Sequence, residues 1–180
     1  MRQWRQQLSP EQQSGAALDL ASQCSALPQW TAAQHIGLYL PADGEVSTAV
    51  LADRVREVGK TTYLPVVQDN LLLFAEWRAA VPLVTNRYGI GEPDDSLHRK
   101  DAGELDILCL PVVAWDRSGA RLGMGGGYYD RTLAQTQRPL LVGLAHAGQE
   151  VAELPRDDWD INLDWIVTDA ECYRCGTSGD

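Results

Sequence analysis

The uncharged run Ile107 to Ala114 leads within a few residues into Arg121-Leu-Gly-Met-Gly-Gly-Gly-Tyr-Tyr-Asp130-Arg131. The apolar run reads as a strand. A strand feeding a glycine loop and then a helix also reads as a phosphate cradle. The same alternation recurs along the chain. Ser9-Pro10-Glu11-Gln12 is a capping box with proline at the first helical position, and it opens an amphipathic helix to about Cys24. Ile36 to Leu40 reads as a strand, Ser47 to Val58 as a helix closed by Gly59, and Thr61 to Val67 and Leu71 to Ala75 as strands joined at Asp69-Asn70. After an irregular stretch from Pro82 to Gly103, rich in Gly and Pro and expected to be a long loop, come strand Leu105 to Ala114, helix Tyr128 to Thr136, and strands Leu140 to Ala145 and Trp165 to Thr168. This order predicts an α/β fold: a three-layer α/β/α sandwich with a mostly parallel, Rossmann-like sheet. One domain is expected over 1–180, with residues from about 170 onward as a flexible tail.

Gly123, Gly125, Gly126 and Gly127 let the backbone take positive φ and bring several N–H groups to an anion, and a helix starting at Tyr128 would add its positive end. The loop lacks the lysine and hydroxyl of a P-loop. Its Gly127 follows Gly125 by two residues where a dinucleotide fingerprint needs three, and no ribose-binding acid follows about twenty residues later. A nicotinamide-dependent oxidoreductase is thereby disfavoured. A plain surface turn is the bland alternative, against which stand the flanking Arg121, Tyr128, Tyr129 and Asp130. In parallel sheets ligands sit beyond the carboxyl ends of the strands, so the loops Pro41 to Glu45 and Ala114 to Tyr129 should share one crevice. Asp130 suits either a Mg²⁺ held against phosphates or a partner for the helix dipole. Glu45 is either an acceptor for a bound heterocycle or a surface acid. The acids Asp157, Asp158, Asp160, Asp164 and Asp169 cluster near the last strand, and composition does not choose among them. Of the aromatics, Tyr39, Trp115, Tyr128 and Tyr129 lie in or beside the candidate loops.

Lys plus Arg total 15 against 25 Asp plus Glu, a net charge of −10, which argues against general affinity for nucleic acid or anionic membranes. The polar amino terminus has no apolar leader and no window of about twenty residues is apolar enough to span a bilayer, so a cytoplasmic protein with reduced thiols is expected. Cys172-Tyr-Arg-Cys175 is a lone CxxC without the second pair a zinc site requires. His35, His98 and His146 have no triad-like arrangement, and no Gly-x-Ser-x-Gly elbow occurs.

Gly119-Ala-Arg-Leu-Gly-Met-Gly-Gly-Gly-Tyr-Tyr-Asp130-Arg131, preceded by Leu105-Asp-Ile-Leu-Cys-Leu-Pro-Val-Val-Ala-Trp-Asp116, resembles the 5-formyltetrahydrofolate cyclo-ligase family, also called methenyltetrahydrofolate synthetases. The likeness extends to Leu40-Pro-Ala-Asp-Gly-Glu45, Gly89-Ile-Gly-Glu-Pro93 and Leu154 to Asp164. It implies ATP- and Mg²⁺-dependent closure of 5-formyltetrahydrofolate to 5,10-methenyltetrahydrofolate; separately, a monomer is expected. By the same resemblance Arg121, Leu122, Gly123, Met124, Gly125, Gly126, Gly127, Tyr128 and Tyr129 form the nucleotide loop, with Arg121, Tyr129 and Asp130 acting in catalysis. Asp130 and Asp164 are the implied Mg²⁺ carboxylates. Glu45 is the pterin-side ligand, and Leu40, Trp115 and the span Met124 to Tyr128 line the folate site. Two departures stand out. Gly126 replaces a lysine common in the family, and not all of the further basic residues with which relatives begin occur in this sequence, so that either the start lies upstream or Arg2 and Arg5 meet ATP in their place. A non-catalytic folate- or nucleotide-binding protein on the same fold is the alternative to an enzyme.

Overall fold

A computed structural model describes residues 1–86, 89–94, 98–157 and 159–176. Helices α1 (Arg2–Gln6) and α2 (Pro10–Ser25) precede strand β1 (His35–Gly37), helix α3 (Ala49–Glu57) and the hairpin of β2 (Thr61–Gln68) and β3 (Leu71–Glu76). The short strands β4 (Val84–Thr85), β5 (Gly91–Glu92) and β6 (Arg99–Lys100) lead to β7 (Ile107–Pro111), β8 (Ala114–Trp115) and β9 (Arg121–Leu122). Helix α4 (Tyr128–Leu133), β10 (Leu140–Leu144), β11 (Trp165–Val167) and β12 (Cys172–Arg174) complete the order.

The main sheet has eight strands in the order β12-β11-β10-β7-β1-β2-β3-β6. Strands β11, β10, β7, β1 and β2 run parallel, β12 and β3 run antiparallel to them at either side, and the edge strand β6 pairs antiparallel with β3. Alternation along β7 explains why its sequence is apolar throughout. Ile107 and Cys109 face Leu20, Ala21 and Cys24 of α2 and Leu51, Ala52 and Val55 of α3, while Leu108 and Leu110 face Leu133 of α4, Trp115 and Leu163. With each fully buried aliphatic side chain contributing up to about 1.5–3 kcal/mol, neither face can be left to solvent. The three layers are therefore α2 and α3, the sheet, and a thinner cover of α4 with the β8–β9 hairpin. The expected capping box is present: Ser9 Oγ accepts from Gln12 N at 3.2 Å and Ser9 N donates to Gln12 Oε1 at 2.8 Å.

Several expectations change. The strand read as Leu105 to Ala114 is two elements, because Pro111 has no N–H with which to continue the ladder and the chain leaves the sheet into the β8–β9 hairpin. Helix α4 ends at Leu133 instead of Thr136, so its dipole adds little. The supposed tail from about 170 contains β12, whose Cys172, Tyr173 and Arg174 pair with Val167, Ile166 and Trp165; residues 177–180 of that tail lie outside the described set. The stretch 82–103 is broken by β4–β5 and by β6 on the sheet edge, with 87–88 and 95–97 outside the described residues. Helix α1 has no signal in the sequence, since five polar-rich residues carry no periodic apolar stripe.

From β1 the chain crosses through α3 to β2 on one side, and β7 is added on the other side of β1. The order reverses between β1 and β7. In sheets of this kind the loops leaving the carboxyl ends diverge at such a point, and ligands usually bind there.

Candidate functional site

Helix α1 is fastened to the loops after β1 and β7 by Arg5, whose side chain is fully buried. Its Nε donates to Asp43 O at 2.6 Å, Nη1 donates to Val112 O at 3.1 Å, and Nη2 donates to Asp43 Oδ2 at 3.2 Å. The same Nη2 is 3.7 Å from Glu45 Oε1 and 3.9 Å from Met124 Sδ. One guanidinium thus touches the loop after β1, the end of β7 and the glycine loop. Arg2 and Gln6 bind the two oxygens of Asp43 from the same helix, and Arg2, 57% exposed, holds its cation in the open. Gly44 permits the approach. Its φ of +77° and the 2.8 Å that would separate an added Cβ from Arg5 O leave no room for a side chain. On the other flank the ring of Trp4 meets His146 edge-on at 6.0 Å, and His146 Nε2 lies 3.2 Å from Gly44 O.

Burial sets the electrostatics of this corner. It pushes the Glu45 carboxyl above its ordinary range, against the opposing pull of the Ala42 amide, which donates to Oε2 at 3.0 Å, and of Arg5. The Glu45 side chain is 7% exposed, so the reading as a surface acid is set aside. Burial likewise raises the phenols of Tyr39 and Tyr129, with the Glu45 charge adding to both, and lowers the His146 imidazole. Tyr39 Oη donates to Val46 O at 3.0 Å. Asp43 is held below its ordinary range, chiefly by its hydrogen bond from Arg2.

The glycine loop reaches the same guanidinium through Met124. Gly123 to Gly126 are exposed, and Gly125 takes φ +87° with open space where a Cβ would stand, so this position is glycine for backbone reasons rather than for packing. Leu122 and Met124 expose half or more of their apolar side chains beside those amides. Arg121, 8% exposed, donates from Nη2 to Asp130 Oδ1 at 2.6 Å and from Nη1 to Ile161 O. Ile161 N completes the knot on Asp130 Oδ1 at 3.4 Å. Arg131 stacks over the ring of Tyr128 at 4.9 Å.

The remaining candidates are placed differently. Leu40 packs beneath the β4–β5 hairpin beside Leu83 and Gly91. Trp115, expected to line the folate site, is fully buried against the ring of Tyr173 at 5.1 Å and offers no face to a ligand, because the hairpin turns it onto the sheet. Asp164 stands just before β11, accepting from Leu141 N at 2.8 Å and from Arg138, while Asp130 is held by Arg121, so a different arginine balances each carboxylate. Among the other acids, Asp160 caps Asp157 N, and Asp169 accepts from Ala147 N at 2.7 Å. Asp158 lies outside the described residues. Among the described residues no three His, Cys, Asp or Glu side chains group as a metal site. Two residues went unnoticed in sequence. Asp43, the anchor of α1, had only its neighbour Gly44 as a signal, and the buried Gln149, which donates to Val112 O and Val113 O at 2.8 and 2.9 Å, had none.

A family model described as the 5-formyltetrahydrofolate cyclo-ligase family matches residues 1–169. The 5-formyltetrahydrofolate cyclo-ligase of Escherichia coli (strain K12) is 39% identical over 182 residues, covering 97% of this chain and 99% of that one. That of Haemophilus influenzae is 38% identical over 169 residues, with 91% and 90% covered. Among solved structures, the 5,10-methenyltetrahydrofolate synthetase of Aquifex aeolicus superposes with a TM-score of 0.86 at 33% identity, covering 99% of this chain and 92% of that one.

Proposed function

The chain belongs to the 5-formyltetrahydrofolate cyclo-ligase family, and on that premise we propose that the crevice between β1 and β7 closes 5-formyltetrahydrofolate to 5,10-methenyltetrahydrofolate at the expense of ATP, releasing ADP and phosphate. The observation that carries this reading is the meeting of Glu45 and Met124 on one guanidinium nitrogen, at 3.7 and 3.9 Å. A reaction that joins a pterin substituent to a γ-phosphate requires the pterin pocket and the phosphate loop to adjoin.

An N5-formyl amide is a poor electrophile. Transfer of the γ-phosphoryl group to the formyl oxygen makes an imidate-like phosphate; N10 of the same folate then attacks the formyl carbon, and the C–O bond breaks as inorganic phosphate leaves. The first step needs placed phosphates and compensated charge more than a covalent nucleophile, and the second gains from enforced proximity. In this reading the exposed amides of 123–127 and Arg121 cradle the phosphates, Arg2 approaches them from the open side, and Glu45 accepts hydrogen bonds from the pterin. Leu40 closes the folate pocket from below, Met124 to Tyr128 line it, and exposed Leu122 and Met124 become covered when ligands enter and water leaves. Tyr129, its phenol held protonated by burial, serves as a hydrogen-bond donor rather than a base. Asp130 and Asp164 would offer Mg²⁺ the hard carboxylate oxygens it prefers, and the ion would supply neutralisation of phosphate charge. Each carboxylate is now balanced by an arginine, Arg121 or Arg138, so metal uptake would displace those pairs. With glycine at 126, Arg121 is the cation left inside the loop.

No helix among the described residues is long and apolar enough to cross a membrane, and the net charge of −10 disfavours nucleic acid. We place the protein in the cytoplasm as a monomer acting on two small molecules. The test is the absorbance of the methenyl product. It should grow only when 5-formyltetrahydrofolate, ATP and Mg²⁺ are all present; growth without nucleotide, or none with it, refutes the reading.

A further inference from the structure

Arginines near a phosphate-binding loop invite the assumption that they contact phosphate. Arg5 does not fit it. Its side chain has no exposed surface, and each of its three nitrogens is already engaged by this chain: Nε by Asp43 O, Nη1 by Val112 O, and Nη2 by the Asp43 carboxylate, Glu45 and Met124. Val112 O is shared with Gln149, which locks the far end of the guanidinium to the end of β7. The main chain of α1 is held as firmly, since Gln13 Nε2 donates to both Arg5 O and Gly44 O at 3.3 and 3.2 Å. Three acceptors in three directions need a planar fork, which lysine does not have.

We infer that Arg5 is a positioning residue for the pterin pocket: it fixes the Glu45 carboxylate against the glycine loop, and acts on the folate through Glu45 rather than on ATP. This assignment rests on the reading above, in which Glu45 meets the pterin. The charged and titratable groups around Glu45 are Arg5 from α1, Asp43 in its own loop, Tyr39 beyond β1 and Tyr129 from α4, with His146 on the far side of Gly44. Arg5 is the cation among them that opposes the effect of burial on Glu45. Its removal should leave Glu45 protonated to higher pH and free to turn.

The experiment compares Arg5→Gln, Arg5→Lys, Glu45→Gln and the double variant Arg5→Gln/Glu45→Gln in the cyclisation assay, with calorimetric binding of 5-formyltetrahydrofolate. Inhibition by inorganic tripolyphosphate reports the phosphate loop alone. Arg5→Gln should raise the folate KM by about tenfold and move the acidic limb of kcat/KM for folate to higher pH. The ATP KM and the tripolyphosphate inhibition constant should stay within about twofold of wild type. Arg5→Lys should recover the pH profile, which follows charge, but only part of the KM, which follows the fork. The double variant should bind folate no worse than Glu45→Gln, the mark of one residue acting through the other. Should loss of the buried arginine prevent folding, Arg5→Lys and Glu45→Gln still decide the matter through the KM split. A rise confined to ATP and tripolyphosphate makes Arg5 a phosphate contact and overturns the inference, as do additive losses in the double variant. If wild type cyclises folate and the Arg5 variants match it, only the Arg5 assignment falls; if wild type does not bind folate, the functional reading falls with it.

Discussion

Replacing Asp130 by Asn keeps the side chain's shape and an oxygen acceptor while removing the charge that Arg121 meets at 2.6 Å. Arg121 is 8% exposed and Asp130 29% exposed, so the pair is shielded but not dry. Stripping the partner from a fully buried ion costs about 3–5 kcal/mol. Here the partial exposure and the surviving amide oxygen reduce that to about 1.5 kcal/mol, the scale of one charge-assisted hydrogen bond. For a chain of this size the melting temperature should fall by about 3–6 °C. Nucleotide separates structure from catalysis. At about one hundred times its Kd, ATP with Mg²⁺ should stabilise wild type by about 2.7 kcal/mol, or roughly 5–10 °C. Asp130→Asn should lose most of that increment, and its turnover should fall at least about tenfold, roughly 1.4 kcal/mol of barrier. The assay is thermal melting with and without ATP·Mg²⁺, beside methenyl absorbance. A variant that melts early yet keeps wild-type turnover and the full nucleotide-induced shift refutes the metal and phosphate role, and leaves Asp130 as the clamp on Arg121 and Ile161.

Gly44→Ala forces a Cβ against Arg5 O and a left-handed backbone on alanine, so it should destabilise by at least about 1–2 kcal/mol and speed hydrogen exchange in α1; unchanged exchange would mean that α1 does not seat on this loop. The Glu45 carboxyl is raised by burial, so it favours the fold most below its unfolded value of about 4.3, and that contribution is lost as pH rises through the higher folded value. Glu45→Gln should therefore gain stability relative to wild type between pH 4 and pH 7 in urea unfolding, and a pH-independent difference would contradict the buried carboxylate. Trp115→Phe removes a buried Nε1 donor that has no partner, and stability should change by no more than about 1 kcal/mol with the folate KM unaltered; a tenfold rise in that KM would return Trp115 to the ligand pocket.

Much of the scaffold was legible because it rests on short-range chemistry. The Ser9–Gln12 box, the closure of α3 at Gly59 and the apolar β7 each follow from spacings of one to four residues. The same local reading failed where an element is defined by its partner. Cys172 to Arg174 looked like tail because three residues become a strand only through pairing with β11, and Trp115 looked like a loop aromatic because its burial depends on where the hairpin folds. In sequence Glu45 reads equally as a ligand or a surface acid, since burial is a property of the packed loop and not of the Asp43-Gly44-Glu45 segment.

Residue order alone determined that alternating strands and helices would leave a glycine loop and an acidic loop at one edge of a parallel sheet. Tertiary structure decided what occupies the space between them. Arg5 reaches partners 38, 107 and 119 residues away, and no local pattern reports contacts at such separations. It likewise decided that Asp130 and Asp164 are each held by a different arginine, although both are acids near strands in the sequence. Backbone periodicity is an intrinsic preference and survives in the bare sequence, whereas the placement and ionisation of a buried charge depend on which distant groups desolvate it and which donors answer it.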